Sequence, residues 1–146
     1  MRSRWMGLAL TAAGLSACSA GTSQTGGGQG LQVTPTVSFT QSILCMEQAL
    51  RDRDYRIVSL DKRDGMLGAQ RAQEQVTLSN PRQYGAGDQI DVKPAGKPKE
   101  GVLPPLIVTP SGYVLEWLPN GSNTSITAPS DSAMGDAKYL VEHCAS

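Results

Sequence analysis

The chain has 146 residues, enough for one small domain with a leader and a linker. Its 13 basic and 13 acidic residues balance, which excludes the strongly basic surface that nucleic-acid binding requires. Residues 1–17 have the anatomy of a secretion signal, with Arg2 and Arg4 before a short apolar run. That run, residues 7–14, is far shorter than the roughly 20 apolar residues of a transmembrane helix.

The signal ends in Leu15-Ser16-Ala17-Cys18, which resembles the lipobox of bacterial lipoproteins. The resemblance implies that Cys18 takes a diacylglycerol, and often a further acyl chain such as palmitate, after cleavage. Two or more acyl chains give stable membrane anchoring. Ser19 follows where an Asp would favour retention in the inner membrane, so the resemblance implies the outer membrane, with the domain facing the periplasm. Anchoring in the inner membrane and display on the cell surface are the alternatives for its location. Ordinary secretory cleavage after Ala17 is the alternative.

Residues 18–35 are predicted to form a flexible tether. Loss of Arg2 and Arg4 leaves 11 basic against 13 acidic residues in the mature chain, a net charge near −2. Residues 18–35 are rich in Gly, Ser, Thr and Gln and contain no charged side chain. We therefore expect residues 36–146 to form a single domain, held roughly 20–25 Å from the anchor.

A first helix is predicted over residues 39–53. Ser38 and Gln41 have the spacing of a capping box. Ile43, Met46 and Leu50 then recur at helical spacing. Polar residues fill the other side, which indicates an amphipathic helix.

Several strands are predicted to follow. Residues 55–60 and 66–71 flank an Asp-Gly turn at residues 61–65. Residues 75–78 and 89–93 are weaker strand candidates, and the Pro-rich residues 94–105 indicate a solvated loop. Later strands are predicted at residues 106–109, 113–118 and 123–127, with turns at residues 110–112 and 120–121.

Tyr113, Leu115 and Trp117 are expected to share one strand face because side chains alternate along a strand. We expect this face to be directed to the core, with a partner-binding groove as the alternative. Trp117 and Tyr113 are the candidate partner contacts, together with the loop at residues 94–105.

A second helix is predicted near the end of the chain. Ser130 can cap it, and Asp131 favours the positive end of the helix dipole. Ala137, Leu140 and Cys144 fall at helical spacing on one face.

Cys45 and Cys144 remain once Cys18 is assigned to lipid, and an even pair in an oxidising compartment predicts a disulfide bond. Antiparallel helices on one sheet face would bring the two sulfurs to the same end. Two unrelated buried thiols are the alternative.

Residues 43–57 and 61–67 carry a weak resemblance to a known family. An amphipathic helix, a strand and an Asp-Arg-x-x-Gly-like turn are similar to helix-grip envelope lipoproteins, such as the C component of the outer-membrane β-barrel assembly machinery. Small lipoproteins of conjugative and type IV secretion systems are similar too. Asp54 stands where the pattern usually has Gly. The resemblance implies action through protein contacts.

The sequence gives an enzyme little support. His143 and Cys144 could form a nucleophile pair, but adjacent helix residues point about 100° apart, and we favour a plain terminal histidine. Asp88, Asp91 and His143 show no metal-ligand spacing, so we expect no catalytic residues, metal or cofactor. The alternating Asp and Arg residues from Arg51 onward predict a solvated surface.

These observations predict an α+β domain in which an antiparallel sheet of four to six strands carries both helices on one face. The expected function is that of a membrane-anchored, non-enzymatic protein-binding or assembly subunit of an envelope complex. The alternatives are a subunit of a conjugative or type IV secretion apparatus, and a stand-alone lipoprotein that binds a small ligand or the cell wall.

Overall fold

The structure, a computed structural model, describes residues 29–36, 38–73 and 83–145. These residues form six strands and two helices, which gives an α+β fold with a strand number inside the predicted range. The elements are β1 (Leu31–Val33), α1 (Phe39–Arg51), β2 (Arg56–Asp61), β3 (Met66–Ala72), β4 (Gln83–Pro94), β5 (Leu106–Leu118), β6 (Gly121–Thr127) and α2 (Asp131–His143). The signal peptide, Cys18 and the predicted strand at residues 75–78 lie outside the described residues.

All six strands belong to one antiparallel sheet. The order is β1-β5-β4-β3-β2, and β6 also pairs with β5. Because β4 occupies one edge of β5 over its whole length, β1 and β6 both lie on the other edge. β1 pairs with the first residues of β5 and β6 with the last ones.

β5 corrects the expectation of two strands around a turn at residues 110–112. It runs without interruption through Pro110, which pairs with Ile90 of β4. Proline cannot donate a ladder hydrogen bond, so a strand tolerates it where its nitrogen needs no partner. Pro110 meets this condition, because in the described chain the pairing with β1 ends at Val108 and that with β6 starts at Gly112.

β1 lies inside the segment that the sequence assigns to the tether. Leu31 pairs with Val108 and Val33 with Leu106, and Val33 is buried. The sheet therefore includes residues that precede Thr36. Three residues of alternating character give too short a pattern to be recognised as a strand beside a Gly-rich segment.

The helix ends are set by local chemistry. The Ser38 side chain accepts a hydrogen bond from the Gln41 amide, as the capping-box prediction requires. α1 ends at Arg51, two residues earlier than predicted, and Asp54 then adopts φ 65°. This left-handed conformation favours Gly and is tolerated by Asp, at the position where the resembling pattern usually has Gly.

The β2–β3 hairpin has the predicted turn. The Asp61 carboxylate accepts hydrogen bonds from the backbone amides of Arg63 and Asp64. Gly65 adopts φ 72°, a conformation that L side chains rarely reach. β2 has an irregularity between Ile57 and Ser59.

α2 begins as predicted at the Ser130 cap, whose hydroxyl accepts a hydrogen bond from the Ala133 amide at 3.1 Å. Its last residue is His143, and Cys144 follows as the cap.

One hydrophobic cluster forms the core. It includes Ile43, Met46 and Leu50 of α1, Ala137 and Leu140 of α2, and Leu67, Ala69, Ile90, Val92, Leu106 and Val108 of the sheet. The register pairs Leu67 with Val92, and Val92 with Val108, so these strand residues lie on one face of the sheet. We call this the core face and the opposite one the outer face.

Cys45 and Cys144 form a disulfide bond between the middle of α1 and the C-terminal cap of α2, with their Cα atoms 5.6 Å apart. The predicted pairing is therefore present in the structure. The Thr36 amide and hydroxyl both donate to the carbonyl oxygen of Ala145, the residue that follows Cys144. The beginning and the end of the domain are thus held together.

Candidate functional site

The predicted contact residues Tyr113 and Trp117 lie on the outer face of the sheet. Leu106 and Val108 face the core, and the unbroken register of β5 places Tyr113, Leu115 and Trp117 on the opposite side. None of the three belongs to the core cluster. The expectation that they face the core is therefore wrong, because the continuous strand fixes the alternation from Leu106 onward.

Two glycines of β4 lie beneath the aromatic rings. A Cβ atom on Gly85 would lie 3.0 Å from the Cη2 atom of Trp117. A Cβ atom on Gly87 would lie 2.7 Å from two ring atoms of Tyr113 and would also collide with the Arg71 carbonyl oxygen. The rings therefore lie close against bare backbone, an arrangement that protects a glycine strand in sheets.

β6 adds an apolar residue to this surface. Ile126 pairs with Tyr113 and is 49% exposed, while Trp117 is 39% exposed. Ser122 and Thr124 pair with Trp117 and Leu115, so short hydroxyl side chains border the rings. We call Tyr113, Leu115, Trp117 and Ile126 the aromatic strip. It offers two aromatic rings and two aliphatic side chains on one face.

A buried polar network lies where the start of α2 meets the sheet. Asp88 of β4 is only 2% exposed. Its carboxylate accepts hydrogen bonds from Arg71 Nη2 and from the Ser130 hydroxyl, each at 2.7 Å. The residue that caps α2 therefore also binds a buried charge of the sheet.

Arg71 connects Asp88 to a second carboxylate. Its Nη2 atom lies 3.1 Å from Asp136 of α2, and its guanidinium stacks 4.3 Å from the centre of the Tyr55 ring. The Tyr55 hydroxyl donates to Asp136 at 3.0 Å, and Arg53 pairs with the same carboxylate at 3.2 Å. We call these six residues the polar network: Arg53, Tyr55, Arg71, Asp88, Ser130 and Asp136.

Two members of the network, Tyr55 and Arg71, have raised pKa values and keep their protons at ordinary pH. Burial raises the pKa of Tyr55 well above its usual value, and the Asp136 charge reinforces the effect. Burial alone would lower the pKa of Arg71, but the hydrogen bond to Asp88 and the charges around it outweigh this and raise it. Within the described chain, every fully buried side-chain nitrogen or oxygen has a hydrogen-bond partner. A fully satisfied network of this kind holds elements together.

Sequence reasoning missed the polar network. It assigned Arg53 to a solvated surface and weighed Asp88 only as a metal ligand. The members come from β3, β4, α2 and the residues around the end of α1, so no local spacing brings them together. The sequence did contain a weak signal. Arg71 and Asp88 are charged, although the alternation along β3 and β4 places apolar side chains at the other positions on the same face, such as Ala69 and Ile90.

The groups considered for catalysis or metal binding are not assembled. The Cys144 sulfur is bonded to Cys45 and is not available as a thiol. His143 stacks on Tyr139, and its Nδ1 atom lies 3.0 Å from the Tyr139 carbonyl oxygen. No group of three or more metal-binding side chains occurs in the part of the chain that the structure describes.

The loop after β4 is also a site candidate from the sequence. It borders a depression of about 280 Å³ lined by Lys97, Lys99, Val102 and the two prolines Pro104 and Pro105, with Ala95 and Gly96. Val102 is 66% exposed. The loop lies at the end of the sheet where β5 starts, whereas Trp117 lies near the end of β5, so the two candidate contacts are separate.

Over residues 29–36, 38–73 and 83–145, no helix is long and apolar enough to cross a membrane. Comparison of the chain with protein-family models, with curated proteins and with solved structures gives no match.

Proposed function

We propose that the protein is a membrane-anchored envelope lipoprotein that acts as a non-enzymatic protein-binding or assembly subunit. The anchor is Cys18, acylated after cleavage of residues 1–17 at the lipobox Leu15-Ser16-Ala17-Cys18. Ser19 supports placement in the outer membrane, with the domain in the periplasm. The disulfide bond between Cys45 and Cys144 is consistent with an oxidising compartment.

The observation that carries the binding role is the aromatic strip. Trp and Tyr dominate the binding energy of protein interfaces because they bury a large area at small entropic cost. Here they share one face with Leu115 and Ile126, outside the core. Exposed apolar groups in a contiguous patch are typical of interaction sites.

The placement of the helices is part of this proposal. Both helices contribute to the single core cluster on the core face of the sheet. We propose that they cover that face and leave the outer face to a partner.

The non-enzymatic role is supported by the state of the titratable groups. Arg71, Asp88 and Asp136 are engaged with one another, and Cys144 is in a disulfide bond. These groups are therefore held by partners within the domain.

The anchor is tested by labelling the protein in cells with radioactive palmitate. The native chain should incorporate label and float with membranes. Cys18→Ser should do neither, whereas Cys45→Ala should still be labelled. Processing and membrane binding of Cys18→Ser like those of the native chain would contradict the anchor.

The binding surface is tested by crosslinking in intact cells, followed by mild detergent extraction. Trp117→Ala should lose any partner held by the native protein. Leu118→Ala is the matched control, because Leu118 is 41% exposed on the other face of the same strand. Equal partner recovery with both variants would contradict binding through the aromatic strip.

A second candidate is a stand-alone lipoprotein that binds the cell wall. The rings of Tyr113 and Trp117 lie against Gly87 and Gly85, bordered by the hydroxyl groups of Ser122 and Thr124. Such a surface suits stacking on sugar rings. Retention on isolated peptidoglycan that Trp117→Ala abolishes, without a protein partner, would favour this function. The same crosslinking would identify a partner from a conjugative or type IV secretion apparatus.

A further inference from the structure

We infer that the loop at residues 95–105, here called the basic loop, contacts the anionic lipid headgroups of the membrane that holds the anchor. The inference rests on the proposed lipid anchor at Cys18 for its location. It adds a second, charge-dependent contact with the same membrane, separate from the aromatic strip.

The basic loop has a defined shape. The Ala95 amide donates to the Pro105 carbonyl oxygen at 2.8 Å and closes the base of the loop. At the tip, the Val102 amide donates to the Lys99 carbonyl oxygen, with Gly101 at φ 74° in between. The tip therefore presents Lys99 and Val102 side by side, already ordered before any contact is made.

The charge of the basic loop is complementary to an anionic surface. Lys93 at its base and Lys97 and Lys99 along it are all exposed, and Glu100 is the acidic residue of the segment. The neighbouring turn at the same end of the sheet contributes Asp61, Lys62, Arg63 and Asp64, whose charges cancel. Lys62 pairs with Glu47 at 2.9 Å, and Glu47 also pairs with Arg51, so these two residues of α1 add no net charge. An excess of two positive charges remains at the loop.

The apolar part of the basic loop suits the boundary between headgroups and acyl chains. Val102 is the most exposed of the large hydrophobic residues in the described chain, at 66%. It borders the depression formed with Pro104 and Pro105. Lysines beside an exposed apolar residue are typical of segments that lie in the membrane interface.

The length of the chain before β1 keeps the basic loop near the membrane. Twelve peptide units separate Cys18 from Gly30, which can span at most about 43 Å. Val33 pairs with Leu106, the residue that follows the loop, so the start of β1 lies only about 10 Å along the sheet from the loop. The anchor thus holds the loop at a high local concentration of lipid, where a weak contact is populated.

The experiment uses the processed, lipid-bearing protein reconstituted into vesicles. Val102→Cys introduces a thiol for an environment-sensitive fluorophore, since Cys45 and Cys144 are bonded to each other. Asn123→Cys is the matched control for labelling, because Asn123 is exposed on β6 at the opposite end of the sheet. Nitroxide-bearing lipids quench whichever label lies in the interface.

With phosphatidylglycerol in the vesicles, we expect the label at position 102 to be quenched and the label at position 123 not. Pure phosphatidylcholine or high salt should remove the quenching. Each lost lysine should lower the equilibrium constant for contact between the loop and the membrane by about fivefold. Lys97→Glu with Lys99→Glu should therefore abolish the quenching. Lys138→Glu, at an exposed position of α2, should leave the quenching unchanged. Equal quenching at both positions, or quenching that ignores lipid charge, would overturn the inference.

Flotation of the same vesicles separates this inference from the proposed function. Protein that floats with vesicles of either composition, but shows no quenching at position 102, retains the anchor and overturns the loop contact. Protein that is not acylated, yet binds anionic vesicles only when Lys97 and Lys99 are present, overturns the anchor and supports the loop contact.

Discussion

The Arg71 guanidinium contacts four polar groups. Its Nη2 atom contacts Asp88, Asp136 and the hydroxyl of Ser132. Its Nη1 atom donates to the Arg53 carbonyl oxygen. Removal of the guanidinium would leave the buried Asp88 carboxylate with Ser130 as its side-chain partner among the residues that the structure describes.

Arg71→Met should therefore lower the free energy of unfolding by roughly 3 kcal/mol, because an uncompensated buried charge remains. Urea titration measures the change. Arg51→Met is the control: Arg51 pairs with Glu47 on the surface, and such pairs contribute about 0–1 kcal/mol. Similar midpoints for the two variants would show that Asp88 does not depend on Arg71.

The buried Tyr55 hydroxyl makes the free energy of unfolding depend on pH in alkaline solution. Burial, and then the charge of Asp136, raise the pKa of its hydroxyl above the usual value of about 10 in the folded chain. The unfolded chain loses this proton first, so the stabilisation is complete below about pH 10 and declines above it.

We expect the free energy of unfolding to fall by about 1 kcal/mol between about pH 9 and about pH 11 through this group. Tyr55→Phe should reduce that slope, although it is less stable at neutral pH because Asp136 loses a donor. Urea titrations of both proteins at several pH values provide the measurement. An unchanged slope in Tyr55→Phe would assign the alkaline loss to other groups.

At the residue scale, the sequence predicted what local chemistry or counting decides. Cys45 and Cys144 could be paired because one cysteine was already assigned to lipid. Asp88 could not be placed, since its burial depends on Arg71 and Ser130, which are distant in sequence. The face of Trp117 depended on whether Pro110 interrupts the strand.

The two helix starts differ in what their caps contact. Ser38 accepts an exposed hydrogen bond from the Gln41 amide. Ser130 accepts one from the Ala133 amide and donates one to the buried Asp88 carboxylate. The second cap therefore joins α2 to the sheet as well as starting the helix.

Ser38→Ala should lower the free energy of unfolding by about 1 kcal/mol, the usual cost of a lost cap. Ser130→Ala should cost roughly 2–3 kcal/mol, because the hydrogen bond to a charged, buried acceptor is lost too. Urea titration of both variants compares them directly. Equal losses would mean that the contact between Ser130 and Asp88 adds nothing to the cap.

At the element scale, the helices were predictable because caps and a 3.6-residue period are local signals. The strands were less so. Pro110, Ser111 and Gly112 have the composition of a turn, yet β5 runs through them because, in the described chain, the edge of β5 away from β4 is unpaired at Pro110 and Ser111. Only the whole sheet shows that this edge is shared by β1 and β6.

For the molecule as a whole, the predicted class was right: an antiparallel sheet with two helices, whose alternating and helical periods are distinct in the sequence. The contacts that join the beginning of the domain to its end were only partly predicted. β1, which lies inside the predicted tether, pairs with the edge of β5, and Thr36 donates to the Ala145 carbonyl oxygen, so the end of the predicted tether is part of the folded domain.

The disulfide bond is the covalent member of these contacts. It joins cysteines 99 residues apart in sequence and so encloses nearly all of the domain. A loop of this length should stabilise the fold by about 4–5 kcal/mol in the chain-entropy model, because it restricts the unfolded chain. Cys45→Ala with Cys144→Ala should lower the free energy of unfolding by up to this amount, measured by urea titration. The far-ultraviolet circular dichroism should stay native, since the polar network and the apolar members of the core cluster other than Cys144 are retained. Reduction of the native protein should give the same loss; an unchanged midpoint would contradict a constraint acting on the unfolded chain.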